Sequence, residues 1–156
     1  MPVVSRARTV PAIPQRLWSL VADPDSLPRW WPGVTRVEEV SERGWTTVLQ
    51  APKGRTLRAD YTLVSSDHPQ RLRWRQEIEE SPFERVMSRS VTELSLDPAG
   101  GEGTRVELRA IQRVRGLARF GGFLVRRATG RQLDEALDGL DRLVGAPSEA
   151  SGEPHR

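Results

Sequence analysis

The residues able to do chemistry are few, and most are poorly placed for it. His68 sits in a proline-containing turn and His155 in the C-terminal tail. Neither is placed to reach an interior, so histidine general-base catalysis is not expected. Cysteine is absent, which removes disulfides, thiolate metal ligands and thiol nucleophiles together. Two distant histidines and no cysteine leave no metal constellation, and no cofactor is expected. Gly100-Gly101-Glu102-Gly103 reads as a hairpin turn, not a phosphate loop opening a helix. Glu77, Glu79 and Glu93 fall on the solvent phase of alternating segments. What remains is neutral: Tyr61, Trp74, Gln76, Ser88, Ser90, Thr92 and Gln112 recur on the apolar phase. These groups suit a pocket for a medium-sized, largely apolar molecule with a few polar handles. They equally suit a core whose polar groups are internally satisfied. Tyr61 is also a candidate general acid, and Trp30 and Trp31 could border a cavity mouth.

The elements that must hold these residues are legible from periodicity. Residues 3–10 alternate and read as a first strand, stopped by Pro11 and Pro14. Residues 15–22 carry Leu17, Trp18 and Val21 as a short helix, with Pro14 near its first turn. A second short helix over residues 27–31 ends at Pro32-Gly33. Six more strands follow at hairpin spacing, over residues 34–40, 45–51, 56–66, 71–79, 85–97 and 103–114. The later ones are two-faced. Leu72, Trp74, Gln76 and Ile78 oppose Arg73, Arg75, Glu77 and Glu79, which predicts an antiparallel sheet with one wet face.

The last long segment, 116–144, is free of proline. Leu133, Ala136, Leu137, Leu140, Leu143 and Val144 recur at helical spacing, with Asp134, Glu135, Asp138 and Asp141 opposite. Counted back at 100° per residue, the same face carries Arg126, Thr129 and Gly130, while Leu117, Phe120 and Leu124 fall on the far side. Either the helix resets its phase through a kink at Gly121-Gly122 or Gly130, or Arg126 points between helix and sheet and orients a ligand oxygen. Whether 117–131 is continuous with 132–144 stays open at this point.

Composition bounds the rest. At 156 residues, 37% hydrophobic and 29% charged, the chain reads as one soluble domain over 1–145 with a disordered tail over 146–156. No signal-like apolar run opens it, so a cytoplasmic protein is expected. Its basic residues are 23 arginines and one lysine, but the net charge is only +3. DNA binding is not demanded by that balance. Residues 109–131 nevertheless hold seven arginines and no acid. Arg115, Arg119 and Arg127 there could meet an anionic membrane, RNA or an acidic partner, or simply form a solvated face.

Val10-Pro11-Ala12-Ile13-Pro14-Gln15-Arg16-Leu17-Trp18-Ser19-Leu20-Val21-Ala22-Asp23-Pro24 resembles the start of the START-like, SRPBCC superfamily, in its polyketide cyclase/dehydrase branch. Leu27-Pro28-Arg29-Trp30-Trp31-Pro32-Gly33-Val34 resembles the aromatic-proline segment that follows there, and Gly103-Thr104-Arg105-Val106 the entry to the last strand. The resemblance spans residues 2–145. It implies an α+β helix-grip fold: a curved antiparallel sheet of about seven strands wrapped around a long C-terminal helix, enclosing a cavity. Members include lipid carriers as well as cyclases and dehydratases. Three functions follow as expectations. The first is binding of a lipid- or polyketide-like molecule by Trp30, Tyr61, Trp74, Gln76, Ser90, Thr92, Gln112 and Arg126. The second is a cyclase or dehydratase that encloses and orients its substrate. The third is a membrane- or RNP-associated module using the basic segment.

Overall fold

The computed structural model describes residues 3–50, 52–115 and 121–152. Strand β1 (Val3–Val10) leads through a bend into helix α1 (Pro14–Val21), which starts on proline because a missing N–H is no loss in a first turn. The Asp23 carboxylate accepts from the Asp25 amide at 3.0 Å and starts a 3-10 turn, Pro24–Ser26, that runs into α2 (Leu27–Trp30). Six strands follow: β2 (Val34–Glu38), β3 (Gly44–Gln50), β4 (Thr56–Asp67), β5 (Arg71–Glu77), β6 (Met87–Pro98) and β7 (Thr104–Val114). Helix α3 (Gly122–Gly152) closes the chain.

All seven strands form one antiparallel sheet in the order β1-β7-β6-β5-β4-β3-β2. Hairpins join β2 through β7 successively, and β1 pairs back onto β7. The excursion through α1 and α2 therefore carries the chain from one sheet edge to the other, across the concave side. The convex face is wet and ion-paired across strands. Glu93 takes Arg73 at 2.5 Å and Arg109 at 3.3 Å, and Arg58 reaches Glu38 at 2.6 Å. Such exposed pairs contribute little each, but they keep that face soluble.

The concave face grips α3. Leu133, Ala136, Leu137, Leu140 and Val144 are all buried, as the stripe requires. Helix α2 packs on the same face at Gly139, where a Cβ would lie 2.5 Å from the Trp30 carbonyl oxygen, so only glycine permits the approach. On the flank, β1 is tied to α3 by Arg8 with Asp138 and Asp141 and by Arg6 with Asp134.

Three details differ from the expectations. The chain is helical without interruption from Gly122 through Gly130, so no break there resets the phase; residues 117–120 lie outside the described ones. Helix α3 also passes Gly145 to reach Gly152, where an unstructured tail was expected from 146 onward; residues 153–156 are outside the described ones. Local propensity opposes this continuation, since Gly145 and Pro147 cost about 1 and about 3 kcal/mol in a helix interior, although alanine and glutamate at 146, 149 and 150 favour it. Finally, β6 begins at Met87, not at residue 85. The Ser81 hydroxyl donates to the Ile78 carbonyl at 2.5 Å and accepts from the Phe83 amide at 3.1 Å, which holds this stretch in turns.

Burial of the stripe predicts the cost of losing it. Leu137→Ala or Leu140→Ala should each destabilise the domain by ~2–5 kcal/mol in urea unfolding. Near-neutral values for both would mean that α3 is not gripped by the sheet.

Candidate functional site

Strand register sets the floor of the site. Trp45 on β3 pairs with Tyr61 on β4, and Tyr61 pairs with Gln76 on β5. Ser90 on β6 pairs with Gln112 on β7. One level along, Leu63, Trp74, Thr92 and Ala110 are successive partners across β4 to β7. Five strands thus present one polar-tipped side chain each to the concave face, backed by a more apolar row. Leu133 and Gln132 of α3, with Leu27 of α2 and Trp31 just past its end, cover this floor, and Phe83 and Met87 also line the space. The cavity, partly open to solvent, measures about 170 Å³.

The aromatic side chains form a connected train. Trp45 stacks on Tyr61 with centroids 5.7 Å apart, and its edge meets Trp74 at 6.0 Å. Trp74 in turn meets Trp31 at 6.2 Å. Such offset and edge-to-face contacts favour these ring positions by about 0.5–1.5 kcal/mol per pair beyond area burial.

Polar satisfaction in the row is uneven. The Thr129 hydroxyl donates to Gln112 Oε1 at 3.1 Å, which draws α3 onto β7. The indole N–H of Trp45 and the amide nitrogen of Gln76 are buried with no partner. Burial pushes the Tyr61 phenol up to about 12 from its ordinary 10, with the Thr47 hydroxyl acting the other way. Tyr61 is therefore a protonated phenol at any physiological pH, a donor and not a base. Among the described residues, none that lines the cavity is charged, and no group of three metal-binding side chains exists. The arrangement can donate hydrogen bonds to an oxygen inside an apolar enclosure. Its described lining has nothing to accept a proton near neutral pH.

A seven-stranded sheet closed on one helix, with a neutral cavity beneath it, has a counterpart in sequence. The family model described as "Polyketide cyclase / dehydrase and lipid transport" matches residues 1–145. The chain belongs to that family. Solved structures share its fold. A START superfamily protein from Mycobacterium smegmatis superposes with a TM-score of 0.77 at 15% identity, over 92% of this chain and 97% of that one. The di-domain ARO/CYC protein BexL of the BE-7585A biosynthetic pathway gives 0.77 at 19%, over 93% of this chain and 47% of that one. A protein from Thermus thermophilus gives 0.72 at 25%, over 94% and 99%. No curated protein matches the sequence. Among the described residues no helix is long and apolar enough to cross a membrane.

Within this polyketide cyclase/dehydrase and lipid transport fold, six of the eight expected site residues line the cavity: Tyr61, Trp74, Gln76, Ser90, Thr92 and Gln112. Trp30 does not. It is buried beside α3, its indole N–H donating to the Ser26 hydroxyl at 3.1 Å, and the next residue, Trp31, takes the lining position. Arg126 does not either: it is exposed. It keeps the phase of Leu133, but residues 121–128 are only half-buried or exposed, so α3 has outrun its cover before reaching Arg126. Ser88 is displaced by a register shift between Met87 and Arg89, which turns Met87 to the cavity in its place. Trp45, Thr47 and Leu49 line the cavity without having been singled out. Their alternation on β3 carried the signal.

Tyr61 is the chain's single tyrosine, so its titration is directly visible. Absorbance at 295 nm should show no phenolate until the pH nears about 12 while the fold holds. Because the folded value exceeds the unfolded one, the contribution of the neutral phenol is complete below pH ~10. It is lost as pH rises towards 12, by up to about 3 kcal/mol. An ordinary midpoint near 10 in the folded protein would show a hydrated phenol.

Proposed function

We propose that this protein binds a small, largely apolar molecule carrying a neutral hydrogen-bond-accepting oxygen, in the cavity between sheet and α3. The observation that carries this reading is the pair of buried donors without partners, Trp45 Nε1–H and the Gln76 amide, which belong to two residues of the cavity wall. A buried donor left unpaired costs about 1–3 kcal/mol. A carbonyl or phenolic oxygen between strands β3 and β5 would recover that cost, while the tryptophans and leucines contact the rest. The family description, with its cyclases and lipid transport, is compatible with such a ligand. A ring-closing role would draw on the same donors, aimed at an enolate oxygen. It lacks a proton acceptor among the lining residues, so it would act by enclosure and orientation alone.

The test is binding of 2-naphthol, followed by calorimetry and by quenching of the tryptophans. Gln76→Leu should weaken binding up to about tenfold, the scale of one hydrogen bond. The same substitution should leave the ligand-free protein equally or more stable, because it removes an orphaned donor. Unchanged affinity, or no binding by the unmodified protein, would refute the reading.

A second reading concerns the start of α3. Phe123 and Leu124 are 65% and 64% exposed, and Arg126 and Arg127 beside them are exposed, as is Arg115 at the end of β7. Arg119 lies outside the described residues. Exposed aromatic and aliphatic side chains among arginines fit the boundary of an anionic membrane. Phosphatidylglycerol vesicles at low salt should co-sediment the protein, and Arg115→Glu with Arg127→Glu should abolish this. Equal recovery with phosphatidylcholine, or none with either, would dispose of it.

A further inference from the structure

A second cavity of about 140 Å³ lies beside the first. It is lined by Val21, Leu63 and Leu72 among others, and it opens next to Ser41 and Glu42 in the β2–β3 turn. The two cavities share three wall residues: Leu27, Trp45 and Trp74. Those side chains are the partition between them. Each cavity alone is smaller than a typical ligand site, which begins near 300 Å³. Joined, they reach roughly 310 Å³.

The partition is held by weak forces. Trp45 makes a stack with Tyr61 and an edge contact with Trp74, and its indole N–H is bonded to nothing. Rotating that ring breaks no hydrogen bond. An empty second chamber on one side and the first on the other leave space for it to move, whereas a filled core would not. The two chambers also differ in character. The first carries the polar row, while in the second chamber the polar side chains, Ser41 and Glu42, stand at the mouth.

Resting on the binding reading above, we infer that Trp45 gates a two-chamber site for an elongated ligand. The oxygen-bearing end sits on the polar row of the first chamber. An unbranched apolar chain passes between Trp45 and Trp74 into the second. The ligand class is a neutral phenol or ketone with an alkyl extension, matched in shape to two small chambers joined end to end.

The experiment is a calorimetric series from 4-ethylphenol to 4-hexylphenol on the full chain and on Leu63→Trp, which fills the second chamber from its half-buried side. Ala22→Leu, at the exposed rim of the same chamber, serves if Leu63→Trp does not fold. In the unmodified protein, affinity should rise two- to fourfold per added methylene, as chain burial demands. In the filled variant that gain should disappear beyond the shortest members. If 4-ethylphenol binds but affinity is flat with chain length, the chambers do not join. If the gain persists in the filled variant, the chain leaves by another route, and the gate is wrong. If no member binds at all, the underlying binding reading falls with it.

Discussion

The structure depends on where the apolar stripe of α3 stops. From Val144 back to Leu133 the helix fills the concavity of the sheet, and α2 closes over Gly139. Leu133 is also a wall of the cavity. The next core-facing positions, Thr129 and Gly130, are occupied by small residues: one bonds Gln112, and the other leaves space for the Arg6 guanidinium. Beyond them the helix is no longer covered. A helix that fills only part of a gripping sheet must leave enclosed space at its unfilled end. The cavity is the geometric remainder of a stripe that ends too early.

That space is lined in a way that cannot be explained by core stability alone. A dry core of this size would be cheapest with aliphatic side chains at Gln76, Ser90, Thr92 and Gln112. Instead, strands β3 to β7 each contribute a polar group, and two of the donors go unanswered. The aromatic train holds the row in place without satisfying it. Its energy comes from ring contacts, which set position, and not from hydrogen bonds, which would consume the donors. Ring contacts of this kind leave hydrogen-bonding capacity unspent, and they leave the Trp45 ring free to turn, because no hydrogen bond ties it down.

Most of this was legible in the sequence because strand parity is a rigid code. Tyr61, Gln76 and Gln112 face inward for the same reason that Arg73 and Glu93 face out, and the cross-strand partners keep each set on its own face. The code failed where the backbone departs from its period. One register irregularity before Arg89 exchanged Ser88 for Met87. Trp30 and Trp31 lie on and just past a four-residue helix, too short for phase to say which ring turns inward. For Arg126 the phase was right and the inference was still wrong, because periodicity gives direction but not how far the covering sheet extends. Residues distant in sequence set that limit. The second chamber was invisible for a related reason: it lies between α1, the β2–β3 turn and the sheet, and no single period records it.

The position of Arg126 decides the chemistry of the site more than any residue that lines it. With an arginine inside, a carboxylate or phosphate would be the natural occupant, held by a charged hydrogen bond. With Arg126 exposed, no cation among the described residues lines either cavity. An anionic head would then be desolvated against an indole N–H, a phenol and amides alone, and burying an unpaired charge costs far more than those donors return. The same neutrality leaves no group of the first chamber's described lining to titrate below the Tyr61 value of about 12, so the proposed binding there would not depend on physiological pH. A ligand bound as proposed would therefore be selected through shape and through the direction of a few uncharged donors. A ketone, phenol or alcohol oxygen on an apolar frame meets that condition, while fatty acids and phosphorylated lipids do not, unless the charged group stays outside the mouth.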